Sequence, residues 1–79
     1  MRFLDEESNR ILNRVSVFLT ESEANELRDT LDLLLKDSNV HHEHVSSDDF
    51  QKELTISIYD KRKIDSYDDR AQSLILSDI

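Results

Sequence analysis

The chain has 79 residues and contains no glycine, no proline, no cysteine and no tryptophan. The lack of glycine excludes a P-loop, a GxGxxG nucleotide-binding turn and a GxSxG nucleophile elbow. Each of these needs glycine for a tight turn or for close backbone approach to a ligand. The lack of cysteine excludes disulfides and thiolate metal ligands. Turns must therefore be built by Asn, Asp and Ser.

Long apolar runs and positive charge are also scarce. No run approaches the ~18 apolar residues of a membrane span, and the N-terminal MRFLDEESNR lacks the apolar segment of a signal peptide. We therefore expect no membrane contact and a cytoplasmic location. The chain has 18 acidic and 10 basic residues, a formal charge of −8. Because binding to nucleic acid depends on cations that displace phosphate counterions, we expect no nucleic-acid partner.

The short length limits the core. A single domain over residues 1–79 is the expectation for this length, and a core of this size contributes only ~3–5 kcal/mol of net stability. Because no disulfide can add to it, self-association would be a further source of stability.

Residues 21–37, ESEANELRDTLDLLLKD, have the pattern of a helix. Thr20 and Glu23 have the spacing of a capping box at its start. Leu33 projects opposite the apolar stripe, and Asn39 is suited to end the helix in a left-handed conformation. The stripe predicted to face the core consists of Ala24, Leu27, Leu31, Leu34 and Leu35.

Two segments alternate apolar and polar residues as strands do. The first is residues 11–20, in which Phe18 breaks the pattern by pointing to the polar face. The second is residues 50–60, FQKELTISIYD, which the turn-forming SSDD precedes. VHHEHV before that turn is predicted to pair with this strand in a hairpin. DEESN is suited to turn a further hairpin that pairs Phe3 and Leu4 with the first strand.

The C-terminal part combines a charged connection with a second helix. Its basic run, Lys61 to Lys63, is expected to pair with the domain's own acids. Ser66 and Asp69 have capping-box spacing for a helix over about residues 67–77, although the final LILSDI also fits a terminal strand. The predicted fold is a small α+β domain in β-α-β-β-α order, with an antiparallel or mixed sheet of about three strands and helices on one face.

Three histidines, His41, His42 and His44, lie within four positions. In a strand, His42 and His44 point to one face and His41 points away. Zinc takes imidazole and carboxylate ligands, histidine titrates in the physiological range, and polar residues also protect edge strands. A third zinc ligand would have to come from Asp48, Asp49 or Glu53. We expect an edge strand with exposed histidines, and neither metal nor cofactor.

The acidic and hydroxyl residues show no catalytic pattern. Acids adjacent in sequence, at 6–7, 48–49 and 68–69, point apart in a strand or helix, so they do not form the carboxylate pair of a glycosidase. No strained turn presents a serine to a base. We therefore expect that the protein is not an enzyme.

The segments VFLTESEANELRDTLDLLL, HHEHV, DDFQKELTISIYD and LIL together resemble a family of small bacterial proteins. That family shares an LT..EA.EL...L..LL helix, a His-containing stretch and an E(L/I)T..IY strand. The resemblance covers about residues 11–76 and implies a bacterial cytoplasmic protein, but no activity. The proline or glycine usual after the family's long helix is missing here, so the turn at Ser38 and Asn39 must be built differently.

The leading hypothesis is a non-enzymatic protein-interaction domain that binds an unknown partner protein or forms a homodimer, because exposed apolar residues mark interfaces. One alternative is a His-cluster protein that responds to metal or pH. The other is an acidic decoy or antitoxin-like protein that binds a basic partner. The residues predicted to take part in the interaction are Phe18, Leu33, His41, His42, His44 and Tyr59.

Overall fold

The computed structural model describes residues 1–79 as two small sheets and two α-helices. The elements are β1 (Phe3–Asp5), β2 (Arg10–Leu12), α1 (Glu21–Lys36), β3 (His42–Ser46), β4 (Glu53–Ser57), a 3-10 helix (Lys61–Ser66) and α2 (Asp69–Ser77). The α+β class and the β-α-β-β-α order are confirmed, with β1 as an additional first strand. The strands form two antiparallel pairs, β1–β2 and β3–β4, rather than one sheet of about three strands.

The chain divides into two compact units. One unit is Phe18–Ile58, and the other combines Met1–Val17 with Tyr59–Ile79. A single domain over residues 1–79 stays a prediction.

None of the helices is long and apolar enough to cross a membrane.

Helix α1 begins at the predicted capping box. The hydroxyl of Thr20 accepts a hydrogen bond from the Glu23 N–H (3.1 Å), and the Glu23 carboxylate accepts one from the Thr20 N–H (2.8 Å). These two bonds satisfy N–H groups that the first turn of a helix leaves without intrahelical partners. The acids of this turn also lie favourably in the field of the helix dipole.

The turn after α1 is built by an aspartate. The Asp37 side chain accepts a hydrogen bond from the Asn39 N–H (3.0 Å), and its carbonyl accepts one from the Val40 N–H (3.1 Å). Asn39 does not have a positive φ, so the prediction of a left-handed helix end there is wrong. A side-chain acceptor takes the place of the left-handed residue that often follows a helix.

The predicted hairpin is confirmed, with His42 opposite Ser57 and Ser46 opposite Glu53. The SSDD turn is also confirmed. Its Ser47 hydroxyl accepts hydrogen bonds from two following N–H groups. Phe50 adopts a positive φ of 59° in this turn. β4 is therefore shorter than the strand predicted over residues 50–60. The turn takes up the first of these residues, and the strand ends at Ser57.

Helix α1 packs against β3 through a face that differs from the predicted stripe. Glu23 and Leu34 are buried and Leu27 and Thr30 are half-buried, at a spacing that places all four on one side of the helix. Val45 is buried beneath them, 4% exposed. The prediction is wrong for the other members of the stripe, which are exposed: Ala24, Leu31 and Leu35.

In the second unit, β1 and β2 form the N-terminal hairpin suggested by DEESN. Phe3 lies opposite Leu12 and Leu4 opposite Ile11. Asp5 accepts hydrogen bonds from Ser8 Oγ (2.8 Å) and the Glu7 N–H (3.0 Å). β2 ends at Leu12, so the prediction of a strand over residues 11–20 is wrong beyond that residue. β1 is too short to offer later residues a hydrogen-bonding partner.

Helix α2 begins at Asp68, whose carboxylate accepts a hydrogen bond from the Ala71 N–H (2.7 Å). The predicted capping box at Ser66 is wrong, because the Ser66 hydroxyl donates to the Lys63 carbonyl instead. The helix continues to Ser77, so LILSDI is not a terminal strand. Arg2 donates to the carbonyl of Leu74 (3.0 Å), which places a cation at the negative end of the helix dipole.

One member of the basic run, Arg62, pairs with a neighbouring acid, as predicted. Arg62 Nη2 lies 2.8 Å from Asp60 Oδ2, and Asp60 also caps the 3-10 helix through the Arg62 N–H. The hydrogen bonds from Arg62 lower the pKa of Asp60 to about 2. The hydrogen bond from Ser8 likewise lowers the pKa of Asp5, and the one from Ser47 lowers the pKa of Asp49.

Replacing Ile75 should destabilise the fold far more than replacing its neighbour Leu76. Ile75 is 4% exposed and Leu76 is 56% exposed on the same helix. We expect Ile75→Ala to lower the free energy of unfolding by about 2–4 kcal/mol, because it leaves a cavity. Leu76→Ala should cost less than about 0.5 kcal/mol. Urea unfolding at one protein concentration measures both, and equal losses would contradict this description of the core.

Acid should destabilise the protein through its turn carboxylates. The folded pKa values of Asp5, Asp49 and Asp60 lie below their ordinary values. Their contribution is therefore present above the unfolded pKa of about 4 and is lost as the pH falls through the folded values. For Asp60 the loss is complete only below about 2.

We expect the melting temperature, followed by circular dichroism, to fall steadily over that pH window. The Asp60→Asn variant should show a smaller decrease in melting temperature at the most acidic end of that window. A melting temperature that stays constant down to about pH 2 would contradict this prediction.

Candidate interaction surface

Helix α1 carries an apolar strip that is mostly exposed, with Leu27 half-buried where the strip adjoins the face on β3. We call Ala24, Leu27, Leu31 and Leu35 the α1 stripe. Leu35 is 74% and Leu31 38% exposed, and all four residues line one open groove. Because their spacing follows the helical repeat, they form a continuous strip along the helix beside the face that packs on β3.

Charges of both signs border the α1 stripe. Arg28, Asp29 and Asp32 line the same groove. Within the chain, Arg28 Nη2 lies 3.1 Å from Asp29 Oδ1 and Lys36 Nζ lies 2.7 Å from Asp32 Oδ2. The bond to Asp32 raises the pKa of Lys36. Because these side chains are largely exposed, the pairs add little stability and are free to exchange partners.

A buried carboxylate fixes the position of α1 on the hairpin. Glu23 is only 9% exposed. One of its oxygens accepts from the Thr20 N–H and the other accepts from the Asp48 N–H, at 2.8 Å in both cases. The sequence indicated only the first of these bonds, because the second joins residues that are distant in the chain.

The SSDD turn also contacts the start of α1 through the side chain of Asp48. Asp48 accepts hydrogen bonds from Thr20 Oγ1 (2.7 Å) and Ser22 Oγ (3.1 Å). We call Thr20, Ser22, Glu23 and Asp48 the α1–turn clamp. It sets which side of α1 faces the hairpin and therefore which side remains uncovered.

The three histidines are exposed, as predicted, and His42 and His44 lie on β3. His42 and His44 share one face, and their rings meet edge to face with centroids 5.2 Å apart. The Nδ1 atom of His44 lies 2.9 Å from Thr55 Oγ1 and also contacts the Glu53 carboxylate. A nucleophile–base–acid triad uses both ring nitrogens, one for each partner. Here one nitrogen has both contacts, so the geometry differs from a triad. His41 is exposed just before β3.

The structure brings together only part of the set considered for a metal site, since Glu53 contacts His44 beside His42. Asp48 belongs to the α1–turn clamp, whereas His42 and His44 lie on the solvent side of the hairpin. No group of three or more His, Asp or Glu side chains is placed to hold a metal ion.

The remaining predicted interaction residues are dispersed. Phe18 is 93% exposed ahead of α1, and Leu33 is 44% exposed on the side of the helix opposite the α1 stripe. Tyr59 is half-buried and belongs to the other compact unit. Phe50 is 85% exposed, which the sequence does not indicate because the pattern predicts a strand over residues 50–60. Leu31 and Leu35 were missed because they were assigned to the core.

The chain matches no known protein family, no curated protein and no solved structure. The resemblance to a family of small bacterial proteins therefore stays an expectation.

Removal of the buried carboxylate should weaken the unit that carries the α1 stripe. Glu23→Ala leaves the N–H groups of Thr20 and Asp48 without their acceptor. We expect a loss of about 1–3 kcal/mol in the free energy of unfolding. Glu26 is an exposed acid on the same helix, so Glu26→Ala is the control. It should change the free energy of unfolding by less than about 0.5 kcal/mol.

Hydrogen exchange at the Asp48 N–H adds a local measurement, because that amide should exchange faster in the Glu23→Ala variant. Equal stability of the two variants, with unchanged exchange at Asp48, would show that the α1–turn clamp is not needed.

Proposed function

We propose that the protein is a non-enzymatic protein-interaction domain that docks a partner protein on the α1 stripe. The observation that carries the proposal is the exposure of Leu35 and Leu31 on a helix whose neighbouring face is already packed. Contiguous exposed apolar surface favours an interface, and an apolar strip on a helix is a common form of protein recognition.

The rigid support of α1 favours this surface over the other exposed apolar residues. The helix is capped at Thr20 and held to the hairpin by Glu23, so its leucines project from a fixed frame. Phe18 lies in an irregular segment, and ordering such a segment on binding costs conformational entropy that a preformed helix has already lost. Phe50 is a single exposed side chain in the SSDD turn and does not form a strip.

The alternative surfaces have less support. His44 already contacts Thr55 and Glu53 on a polar sheet face. Several of the acidic residues already accept hydrogen bonds from backbone N–H groups of turns and helix starts, which leaves fewer of them free for a basic partner. The residues that accept these bonds are Asp5, Glu23, Asp37, Asp49, Asp60 and Asp68.

Photo-cross-linking in cells tests the proposal. A photoreactive phenylalanine analogue at Leu35 should form covalent adducts with a protein, because that side chain is 74% exposed within the proposed contact. The same analogue at Glu26, exposed on the opposite side of α1, is the matched control and should form few adducts. Mass spectrometry identifies whether the partner is a second copy or another protein. Equal labelling at both positions, or none at Leu35, would overturn the proposed function.

A further inference from the structure

We infer that the partner of the α1 stripe is the same stripe of a second copy, with the two α1 helices antiparallel. This inference rests on the proposed function and names the partner. A two-fold dimer requires a surface that is complementary to itself. The charges and side-chain sizes along α1 meet that requirement in one orientation of the helices.

The charges beside the α1 stripe favour the antiparallel orientation. Arg28 and Asp32 lie one helical turn apart on the same flank of the stripe, equally far from Thr30. In an antiparallel pair centred near Thr30, Arg28 of each copy faces Asp32 of the other, so the contact occurs twice. In a parallel two-fold pair the flank that carries Arg28 and Asp32 would instead face the other flank of the partner helix, so Arg28 of one copy would not face Asp32 of the other.

The apolar side chains favour the same orientation. Ala24 and Leu35 lie at nearly equal distances on either side of Thr30, so an antiparallel pair places the small side chain of one copy opposite the large side chain of the other. Alternation of small and large residues lets helices pack closely. Leu27 and Leu31 occupy the centre, where both copies contribute apolar surface.

The size of the surface sets the strength of the contact. Helix α1 has 16 residues and is therefore about 24 Å long. One face of one such helix buries less than the ~1,200 Å² at the lower limit of stable interfaces. The dimer should accordingly be reversible and depend on concentration, with dissociation in the micromolar range or weaker.

Complementary charge reversals test the pairing. Arg28→Asp places Asp against Asp in its own dimer, and Asp32→Arg places Arg against Arg. Each variant alone should dimerise about tenfold more weakly than the wild type in sedimentation equilibrium at low salt, because two contacts change sign. An equimolar mixture of the two variants should recover most of the affinity, since each Asp then faces an Arg.

Cysteine cross-linking tests the orientation, and the native chain has no cysteine to interfere. Chains with Ala24→Cys and chains with Leu35→Cys, distinguished by tags, are mixed and oxidised. The antiparallel dimer should give disulfides between the two different chains. Disulfides mainly between identical chains would indicate a parallel pair and overturn the inference.

The remaining outcomes separate this inference from the proposed function. A wild-type chain that stays monomeric at millimolar concentration overturns the inference. Leu35 adducts with another protein would then still support the proposed function, and no adducts at all would remove both. A dimer that neither charge reversal weakens lies elsewhere on the chain and also overturns the inference. Far-UV circular dichroism of each variant at low concentration verifies that it is folded.

Discussion

The structure depends on one repeated interaction, a carboxylate oxygen that accepts hydrogen bonds from backbone N–H groups at the ends of helices and strands. A chain without glycine and proline has few residues that adopt tight turns at low cost. Only Asn9, Phe50 and Asp78 take a positive φ. At the other chain reversals an aspartate or glutamate side chain supplies the acceptor that fixes the turn. The acidity of the chain is therefore partly structural.

The α1–turn clamp connects this interaction to the proposed docking surface. Burial of the Glu23 carboxylate is tolerated because both of its oxygens accept hydrogen bonds. Those bonds hold the helix so that Leu34 faces Val45. A rotation of about 100°, the angle of one residue, would bring Leu35 inward in place of Leu34, but it would pull Glu23 away from the Asp48 N–H. A polar contact at one end of α1 thus decides which leucines remain available to a partner.

The sequence predicted the features that depend on local pattern. The capping box at Thr20, the SSDD turn and the pairing of the His-containing strand all follow from residues near each other in the chain. The rotation of α1 could not be predicted, because the apolar pattern is nearly as good for Leu31 and Leu35 as for Leu34. The choice depends on a bond between Glu23 and the distant Asp48. The failure over residues 13–20 has a similar cause, since alternation predicts a strand but cannot supply the partner that it needs.

The core of the unit that contains α1 is small because most leucines of α1 lie outside it, several of them in the α1 stripe. Leu34 and Val45 are the only apolar residues of their unit that are buried, so intramolecular packing leaves this unit with little stability in reserve. A partner that binds only the folded helix raises that stability by mass action, in proportion to the logarithm of its concentration. If the partner is a second copy, the folded fraction itself increases with protein concentration. The leucines that do not contribute to the monomer's core would then contribute to its stability only where the chain is abundant enough to pair, which couples folding to assembly through one face of one helix.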